Sequence, residues 1–240
     1  MDITSLKVKI FADGANLDGM INTYKKQPFV KGFTTNPTLM RKAGITDYEA
    51  FARQVLAAIP DRPISFEVFS DDFAEMERQA KRITSWGKNV YVKIPVSNTV
   101  GETAAPLVKR LAQSGVKLNV TALMTLEQVH AISQALAGGP AACISVFAGR
   151  IADSGRDPLP IMQASLAIMA PYPQLELIWA SPREALNIIQ AHEIGCHIIT
   201  VTNDLIVKPG LFGKDLREFS IDTVKMFRND AIAAGFTLKT

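Results

Sequence analysis

The chain is poor in the residues that disulfide frameworks, metal centres and histidine triads require. Its 240 residues include two cysteines, Cys143 and Cys196, and three histidines, His130, His192 and His197. Two cysteines without a CxxC pair do not make a disulfide framework. The H-E-x-x-x-H spacing from His192 to His197 is one residue too long for two zinc ligands on one helix face. We therefore expect a reduced, cytoplasmic protein with no metal and no other cofactor.

The sequence also lacks blocks of like charge and long apolar runs. The formal net charge is +3 with no Lys/Arg cluster, so composition favours neither a nucleic acid nor a membrane surface as partner. The apolar residues from Leu6 to Ile10 form a run far too short for a signal sequence or a membrane span. No Gly/Ser linker or low-complexity tract interrupts the chain, so we expect residues 1–240 to form a single domain.

Short apolar runs alternate with longer helix-like stretches along the whole chain. Eight runs are predicted strands: Val8–Asp13, Phe29–Thr34, Ile64–Phe69, Asn89–Ile94, Val116–Thr121, Ala142–Phe147, Leu175–Ala180 and His197–Thr202. Eight βα repeats in a chain of this length favour a closed parallel barrel over an open doubly wound sheet. The predicted fold is therefore an α/β (β/α)8 TIM barrel.

Local signals predict several helix ends. Capping boxes, in which a hydroxyl and an acid or amide satisfy each other's backbone N–H groups, fit Thr46–Glu49, Thr125–Gln128 and Ser181–Glu184. Glycines and a proline predict a loop over Val207–Gly213, after the eighth strand. A C-terminal helix is then predicted over Lys214–Ala234.

Polar residues stand where barrel strands should point inward. Alternate strand residues face the interior, and those near the C-terminal strand ends form the mouth where active sites lie. The predicted inward pairs are Phe11 and Asp13, Ser65 and Glu67, Tyr91 and Lys93, Asn119 and Thr121, and Cys143 and Ser145. The second member of each pair would lie at the mouth, together with Asn119.

Three of these residues carry a charge and each has two interpretations. Lys93 lies within the apolar run Val90–Val96. In one interpretation it is structural, and it either reaches water from a strand end or pairs with an acid. In the other it is an uncharged amine that attacks a carbonyl. Glu67 is either the ion-pair partner of Lys93 or a carboxylate that relays protons through a water. Asp13 is either a helix N-cap or part of the same site.

Five segments, in order along the chain, resemble the motifs of the transaldolase family. They are Gly32–Leu39 (GFTTNPTL), Val92–Pro95 (VKIP), Leu118–Leu123 (LNVTAL), Ile144–Ile151 (ISVFAGRI) and Ala180–Arg183 (ASPR). The resemblance covers nearly the whole chain. It implies a (β/α)8 barrel that moves a dihydroxyacetone unit between sugar phosphates through a lysine Schiff base, without a cofactor.

The resemblance also implies a role for each matching residue. Lys93 would form the imine, and Glu67, Asn119 and Thr121 would surround a catalytic water. Asp13 would handle a substrate hydroxyl during C–C cleavage. The remaining matches are substrate-binding: Asn36 and Ser145 at the dihydroxyacetone unit, Arg150, Ser181 and Arg183 at the phosphate, and Thr35 without a more specific role.

Departures from the pattern leave the exact reaction open. The segment after Arg150 lacks the aromatic residues common in larger transaldolases, and the chain is nearer in length to fructose-6-phosphate aldolases. Those aldolases usually carry Gln where Glu67 stands and Tyr where Phe147 stands, which favours transfer over simple cleavage here. An aldolase that releases free dihydroxyacetone, and a barrel that binds sugar phosphates without turnover, are the alternatives. Members of this size often assemble as rings, so we expect a homo-oligomer.

Overall fold

The computed structural model describes residues 3–238, which contain a closed barrel of eight parallel strands in sequential order. The strands are β1 (Lys9–Asp13), β2 (Val30–Thr34), β3 (Ile64–Glu67), β4 (Val90–Pro95), β5 (Leu118–Leu123), β6 (Ala142–Val146), β7 (Leu175–Trp179) and β8 (Ile198–Thr202). Strand β8 pairs with β1 and closes the barrel. The predicted (β/α)8 fold is confirmed, with strand ends within two residues of the predictions.

Helices follow the strands and cover the barrel from outside. They are α1 (Leu17–Lys26), α2 (Pro37–Lys42), α3 (Tyr48–Ala58), α4 (Phe73–Thr84), α5 (Ala105–Gln113), α6 (Leu126–Ala135), α7 (Ala148–Asp153), α8 (Leu159–Met169), α9 (Leu186–Glu193), α10 (Asn203–Ile206) and α11 (Leu216–Ala233). Helix α10 lies between β8 and the predicted loop Val207–Gly213, and that loop contains a 3-10 turn at Lys208–Leu211. Helix α11 is the predicted C-terminal helix. Within residues 3–238, no helix combines the length and apolar character needed to span a membrane.

Two of the three predicted capping boxes are wrong. The box at Thr125 forms, because its hydroxyl and the Gln128 side chain reciprocally satisfy backbone N–H groups. Helix α3 instead begins after Asp47, whose carboxylate accepts the N–H of Ala50 and takes the role predicted for Thr46. Residue Ser181 caps no helix, because α9 begins later.

The start of α9 is displaced because a different side chain satisfies the free N–H groups. Asn187 Oδ1 accepts from the backbone N atoms of Arg183 at 2.8 Å and Glu184 at 3.2 Å. Ser181 itself has a φ of +59°, outside the extended region typical of an N-cap. The segment between β7 and α9 is therefore a loop with a strained start.

The lower half of the barrel interior is filled mainly by apolar side chains. Phe11, Cys143, Ile178 and Ile198 pack together there with Tyr91, separately from the core between strands and helices. A Cβ on Gly32 would lie 2.5 Å from the Phe11 ring, so a glycine in β2 makes room for this packing. The predicted inward direction of Phe11, Tyr91 and Cys143 agrees with this layer, and the second members of the pairs lie above it.

Candidate active site

A cavity of about 570 Å³ opens at the C-terminal ends of the strands. Nine of the eleven predicted site residues line it: Asp13, Asn36, Glu67, Lys93, Thr121, Ser145, Arg150, Ser181 and Arg183. The other two, Thr35 and Asn119, lie beneath the surface with 0% exposure. The topology therefore gathers the predicted residues around one cavity, with two of them acting from below.

Lys93 reaches the cavity from β4 with its side chain only 8% exposed. Its Nζ lies 3.1 Å from Glu67 Oε2 and donates to the backbone oxygen of Thr35 at 3.1 Å. The strand register explains the ion pair, because Glu67 of β3 and Lys93 of β4 are direct neighbours. A buried ion pair contributes little net stability, since removing two charges from water opposes their attraction. The pair is therefore more informative about function than about folding.

Tyr48 of α3 supports the end of β3. Its hydroxyl donates to the backbone oxygen of Glu67 at 2.8 Å. Burial, reinforced by the Glu67 carboxylate, raises the pKa of Tyr48, so the phenol stays protonated and remains a donor. The sequence analysis did not identify Tyr48, since it carries no local signal beyond its place in an amphipathic helix.

Asp13 is part of the cavity rather than a helix cap. Helix α1 is capped by Asn16, whose Oδ1 accepts from the N–H of Gly19 at 2.7 Å, so the N-cap interpretation of Asp13 is wrong. Thr34 Oγ1 donates to Asp13 Oδ1 at 2.8 Å and lies 2.5 Å from Thr200 Oγ1. Burial raises the pKa of Asp13, and the Lys93 charge and the Thr34 hydrogen bond partly oppose this. Asp13 therefore holds a proton more readily than an exposed aspartate.

Asn119 connects two serines inside the barrel. Ser145 Oγ donates to Asn119 Oδ1 at 2.7 Å, and Asn119 Nδ2 donates to Ser65 Oγ at 3.0 Å. Both ends of this amide are thus occupied, so it acts on the cavity through Ser145. Thr121 differs, because its buried Oγ1 lines the cavity and has no hydrogen-bond partner within residues 3–238.

Thr35 and Asn36 serve the cavity in different ways. Thr35 Oγ1 donates to the backbone oxygen of Ser65 at 2.8 Å, so this hydroxyl is already occupied. The backbone carbonyl of Thr35 accepts a hydrogen bond from Lys93 Nζ. Asn36 caps α2 by accepting the N–H of Leu39 at 2.9 Å through Oδ1. The substrate-binding prediction for Thr35 therefore receives no support from its hydroxyl, whereas Asn36 lies at the cavity wall.

Three basic side chains line the cavity: Lys42, which follows β2, and Arg150 and Arg183, which follow the neighbouring strands β6 and β7. Arg183 pairs with Asp153 through Nε–Oδ1 at 2.9 Å and through a second, short Nη2–Oδ2 contact. The hydrogen bond from Arg183 lowers the pKa of Asp153. Arg150 makes no ion pair in the part of the chain that the structure describes. The guanidinium of Arg150 is therefore more available to bind an anion than that of Arg183.

Backbone strain and one close approach lie at the same cavity. Ala122 and Ser181 have φ values of +66° and +59°, and both line the cavity. Strain of this kind is characteristic of functional sites that the surrounding structure holds in place. A Cβ on Gly149 would lie 1.5 Å from the Ser181 backbone oxygen, so glycine is required where α7 meets the β7–α9 loop. This contact packs Gly149, the residue before Arg150, against the loop that carries Arg183.

Comparisons with known proteins show the family of the chain. The family model described as transaldolase/fructose-6-phosphate aldolase matches residues 10–237. The chain belongs to this family. A probable transaldolase of Dehalococcoides mccartyi is 36% identical over 84% of this chain and 89% of its own length. A probable transaldolase of Methanococcus maripaludis is 32% identical over 90% of this chain and 94% of its own length.

A solved structure gives the same architecture for this transaldolase/fructose-6-phosphate aldolase family member. N-acetylneuraminate lyase from Mycoplasma synoviae superposes with a TM-score of 0.55 at 10% sequence identity, covering 93% of this chain and 78% of the lyase chain. At that identity the likeness concerns the barrel fold alone. No cluster of three or more His, Cys, Asp or Glu residues suited to a metal occurs within residues 3–238.

Proposed function

We propose that the protein is a transaldolase that transfers a dihydroxyacetone unit from a ketose phosphate to an aldose acceptor through a Schiff base on Lys93. The observation that carries the proposal is the environment of Lys93. Its Nζ lies in the cavity wall, with one carboxylate at 3.1 Å and a carbonyl at 3.1 Å. A lysine held in such a pocket beside an acid can attack a ketone and exchange protons with its neighbour.

The first half of the reaction forms the imine. Glu67 takes a proton from Lys93, and the uncharged amine adds to the ketone carbon. The added nitrogen then gives up a proton to the former carbonyl oxygen, which yields a carbinolamine. Glu67, through a water bound at Thr121, protonates the departing hydroxyl, and loss of water leaves the iminium. The free hydroxyl of Thr121 and its position in the same cavity as Glu67 support this division of roles.

The second half cleaves and remakes a C–C bond. Asp13 removes the proton from the substrate hydroxyl beside the bond to be cleaved, and the bonding electron pair moves into the iminium to give an enamine. An aldehyde departs. The enamine carbon then attacks the acceptor aldehyde, whose oxygen recovers a proton from Asp13, and hydrolysis frees Lys93. The raised pKa of Asp13 supports this role, because the group must hold the proton between the two steps.

The phosphate of the substrate would bind where Arg150 and Arg183 line the cavity. Arg150 and Arg183 supply fork-shaped donors, which suit a phosphate because they can donate two parallel charge-assisted hydrogen bonds. Ser181, on the same loop as Arg183, adds a hydroxyl. Asn36 and Ser145 would contact the dihydroxyacetone unit.

Product analysis distinguishes transfer from simple aldol cleavage. The purified protein is incubated with fructose 6-phosphate, with and without erythrose 4-phosphate, and the products are quantified by chromatography. We expect a seven-carbon ketose phosphate when the acceptor is present and little free dihydroxyacetone. Equal release of free dihydroxyacetone with and without acceptor would identify an aldolase. No turnover of either kind, with binding retained, would identify a non-catalytic barrel.

We also propose that residues 1–240 act as one catalytic domain in the cytoplasm and assemble as a homo-oligomer. Helix α11 has no buried residue, although Leu216, Val224, Phe227 and Ile232 are apolar and 60% exposed or more. An exposed apolar helix of this kind favours association, and a second copy of the chain is the partner we propose. Sedimentation velocity should give a mass that is a multiple of 26.2 kDa. A monomer at micromolar concentration would contradict the assembly.

A further inference from the structure

Ser65 occupies a branch point in the hydrogen bonds beneath the cavity. It is 3% exposed, and it lies in β3 two residues before Glu67. It does not line the cavity that holds Lys93; it faces a smaller cavity of about 190 Å³ at the opposite end of the barrel, lined also by Phe11, Tyr91 and Cys143. Its hydroxyl and its backbone carbonyl are nevertheless each connected by hydrogen bonds to residues at the cavity that holds Lys93.

We propose that Ser65 is a positioning residue for the reaction, acting through Asn119 on the hydroxyl of Ser145. The inference rests on the proposed function, because Ser145 has a role only if a donor sugar binds beside it. Ser65 accepts from Asn119 Nδ2 at 3.0 Å, and Asn119 Oδ1 in turn accepts from Ser145 at 2.7 Å. The direction of these bonds determines what Ser145 offers to the cavity.

A hydroxyl carries one proton and can accept through its lone pairs. Because Ser145 donates its proton to Asn119, its lone pairs are left for a substrate hydroxyl in the cavity. The Asn119 amide is 0% exposed, and its two hydrogen-bond partners are the hydroxyls of Ser65 and Ser145. Ser145 is therefore an acceptor for substrate as long as the amide keeps its present orientation.

Ser65→Ala would leave Asn119 Nδ2 buried without an acceptor. Buried N–H groups without a partner are rarer than under-satisfied oxygens, so the amide gains by rotating to aim Nδ2 at Ser145. Ser145 would then accept from Asn119 and direct its own proton into the cavity. The site would present a donor where the substrate hydroxyl requires an acceptor.

The hydrogen bonds that connect Ser65 to Lys93 use the backbone of Ser65, so the side-chain substitution should not disturb Lys93. The Ser65 carbonyl accepts from Thr35 N at 3.1 Å and from Thr35 Oγ1 at 2.8 Å, and the Thr35 carbonyl accepts from Lys93 at 3.1 Å. These bonds use no side-chain atom of Ser65. The variant Ser65→Ala should therefore keep the environment of Lys93 and lose only the control of Ser145.

The test is a double-mutant cycle with Ser65→Ala, Ser145→Ala and the double variant. The measured quantities are kcat and KM for fructose 6-phosphate and KM for the acceptor aldehyde, together with borohydride trapping. We expect Ser65→Ala to lower kcat/KM for the donor by about tenfold, in line with the loss of one hydrogen bond to the substrate, and to leave the acceptor KM unchanged. In the Ser145→Ala background it should have no further effect, because coupled residues are not additive.

Two further variants guard against a general loss of structure. Ser65→Thr keeps the hydroxyl, and the lower cavity has room for the added methyl group, so it should restore donor kinetics. Ser165→Ala removes another fully buried hydroxyl, one that donates to Ile161 O at 2.7 Å in α8, and should not change the kinetics. Donor kinetics unchanged in Ser65→Ala, equal losses in both backgrounds, or the same loss in Ser165→Ala would overturn the role of Ser65. Absence of trapping in the wild type would overturn the proposed function, and the role of Ser65 with it.

Discussion

The two arginines at the cavity should contribute unequally to the binding of a phosphorylated donor. Arg183 is paired with Asp153 through two contacts, whereas Arg150 has no ion-pair partner among residues 3–238. A phosphate at this position would meet Arg150 without a hydrogen-bonded carboxylate but would have to share Arg183 with one. We therefore expect Arg150→Ala to impair the use of a phosphorylated sugar more than Arg183→Ala does.

The sizes of the two effects follow from the contacts. A hydrogen bond to a charged group contributes about 1.5–3 kcal/mol, and each 1.36 kcal/mol is a factor of ten. Loss of Arg150 should thus raise KM for fructose 6-phosphate by roughly 10- to 150-fold. The Arg183–Asp153 pair is exposed, and such pairs contribute up to about 1 kcal/mol. Asp153→Asn should therefore free Arg183 and lower this KM by no more than about fivefold.

The assay compares fructose 6-phosphate with unphosphorylated fructose as donor in each variant. Arg156→Ala is the matched control, because Arg156 is an exposed arginine that bonds to Ser154 and does not line the cavity. The variants at Arg150, Arg183 and Asp153 should change KM for the phosphorylated donor alone. Equal changes for both donors, or a higher KM in Asp153→Asn, would refute the assignment of the arginines to a phosphate.

Three further changes test other parts of the site. Glu67→Gln should leave borohydride trapping in place but lower transfer by about 10²–10⁴-fold, because an amide holds a water without exchanging protons; an unchanged rate and pH profile would make Glu67 a structural partner only. Burial raises the pKa of Asp13, so the wild type loses stability as the pH rises from the pKa of the unfolded state, about 4, through the pKa of the folded state. Because Asn does not titrate, the Tm of Asp13→Asn should rise relative to that of the wild type over this pH window and then level off. A Tm difference independent of pH would contradict this. Gly149→Ala should force the Ser181 backbone away, destabilise the fold by about 1–3 kcal/mol and raise KM for phosphorylated donors. Gly210→Ala, where an added Cβ meets nothing within 4 Å, is its control and should have neither effect.

The period-two alternation of polar residues was sufficient to predict which strand positions face inward. Asp13, Glu67, Lys93, Thr121 and Ser145 all line the cavity, because every second residue of a barrel strand points into the interior. The same alternation does not reveal depth along the barrel axis. Asn119, one pleat below Thr121, was predicted beside the water but lies beneath the cavity surface with both ends of its amide occupied.

Contacts between distant parts of the chain were beyond the sequence patterns. Tyr48 reaches Glu67 from a helix, and Asp153 reaches Arg183 across 30 residues. Neither contact has a periodic signal, since each depends on how a helix packs against a neighbouring βα unit. The misplaced cap at Ser181 has a local cause, because Asn187 competes for the same N–H groups.

The most direct test of the central claim is the identity of the residue that forms the imine. Wild-type protein is treated with borohydride in the presence of fructose 6-phosphate, digested and analysed by mass spectrometry. We expect one peptide, the one that contains Lys93, to carry a reduced dihydroxyacetone adduct. Lys93→Arg should abolish the adduct, because a guanidinium is not deprotonated in proteins and cannot attack a carbonyl. An adduct on a different lysine, or one that persists in Lys93→Arg, would contradict the proposed mechanism.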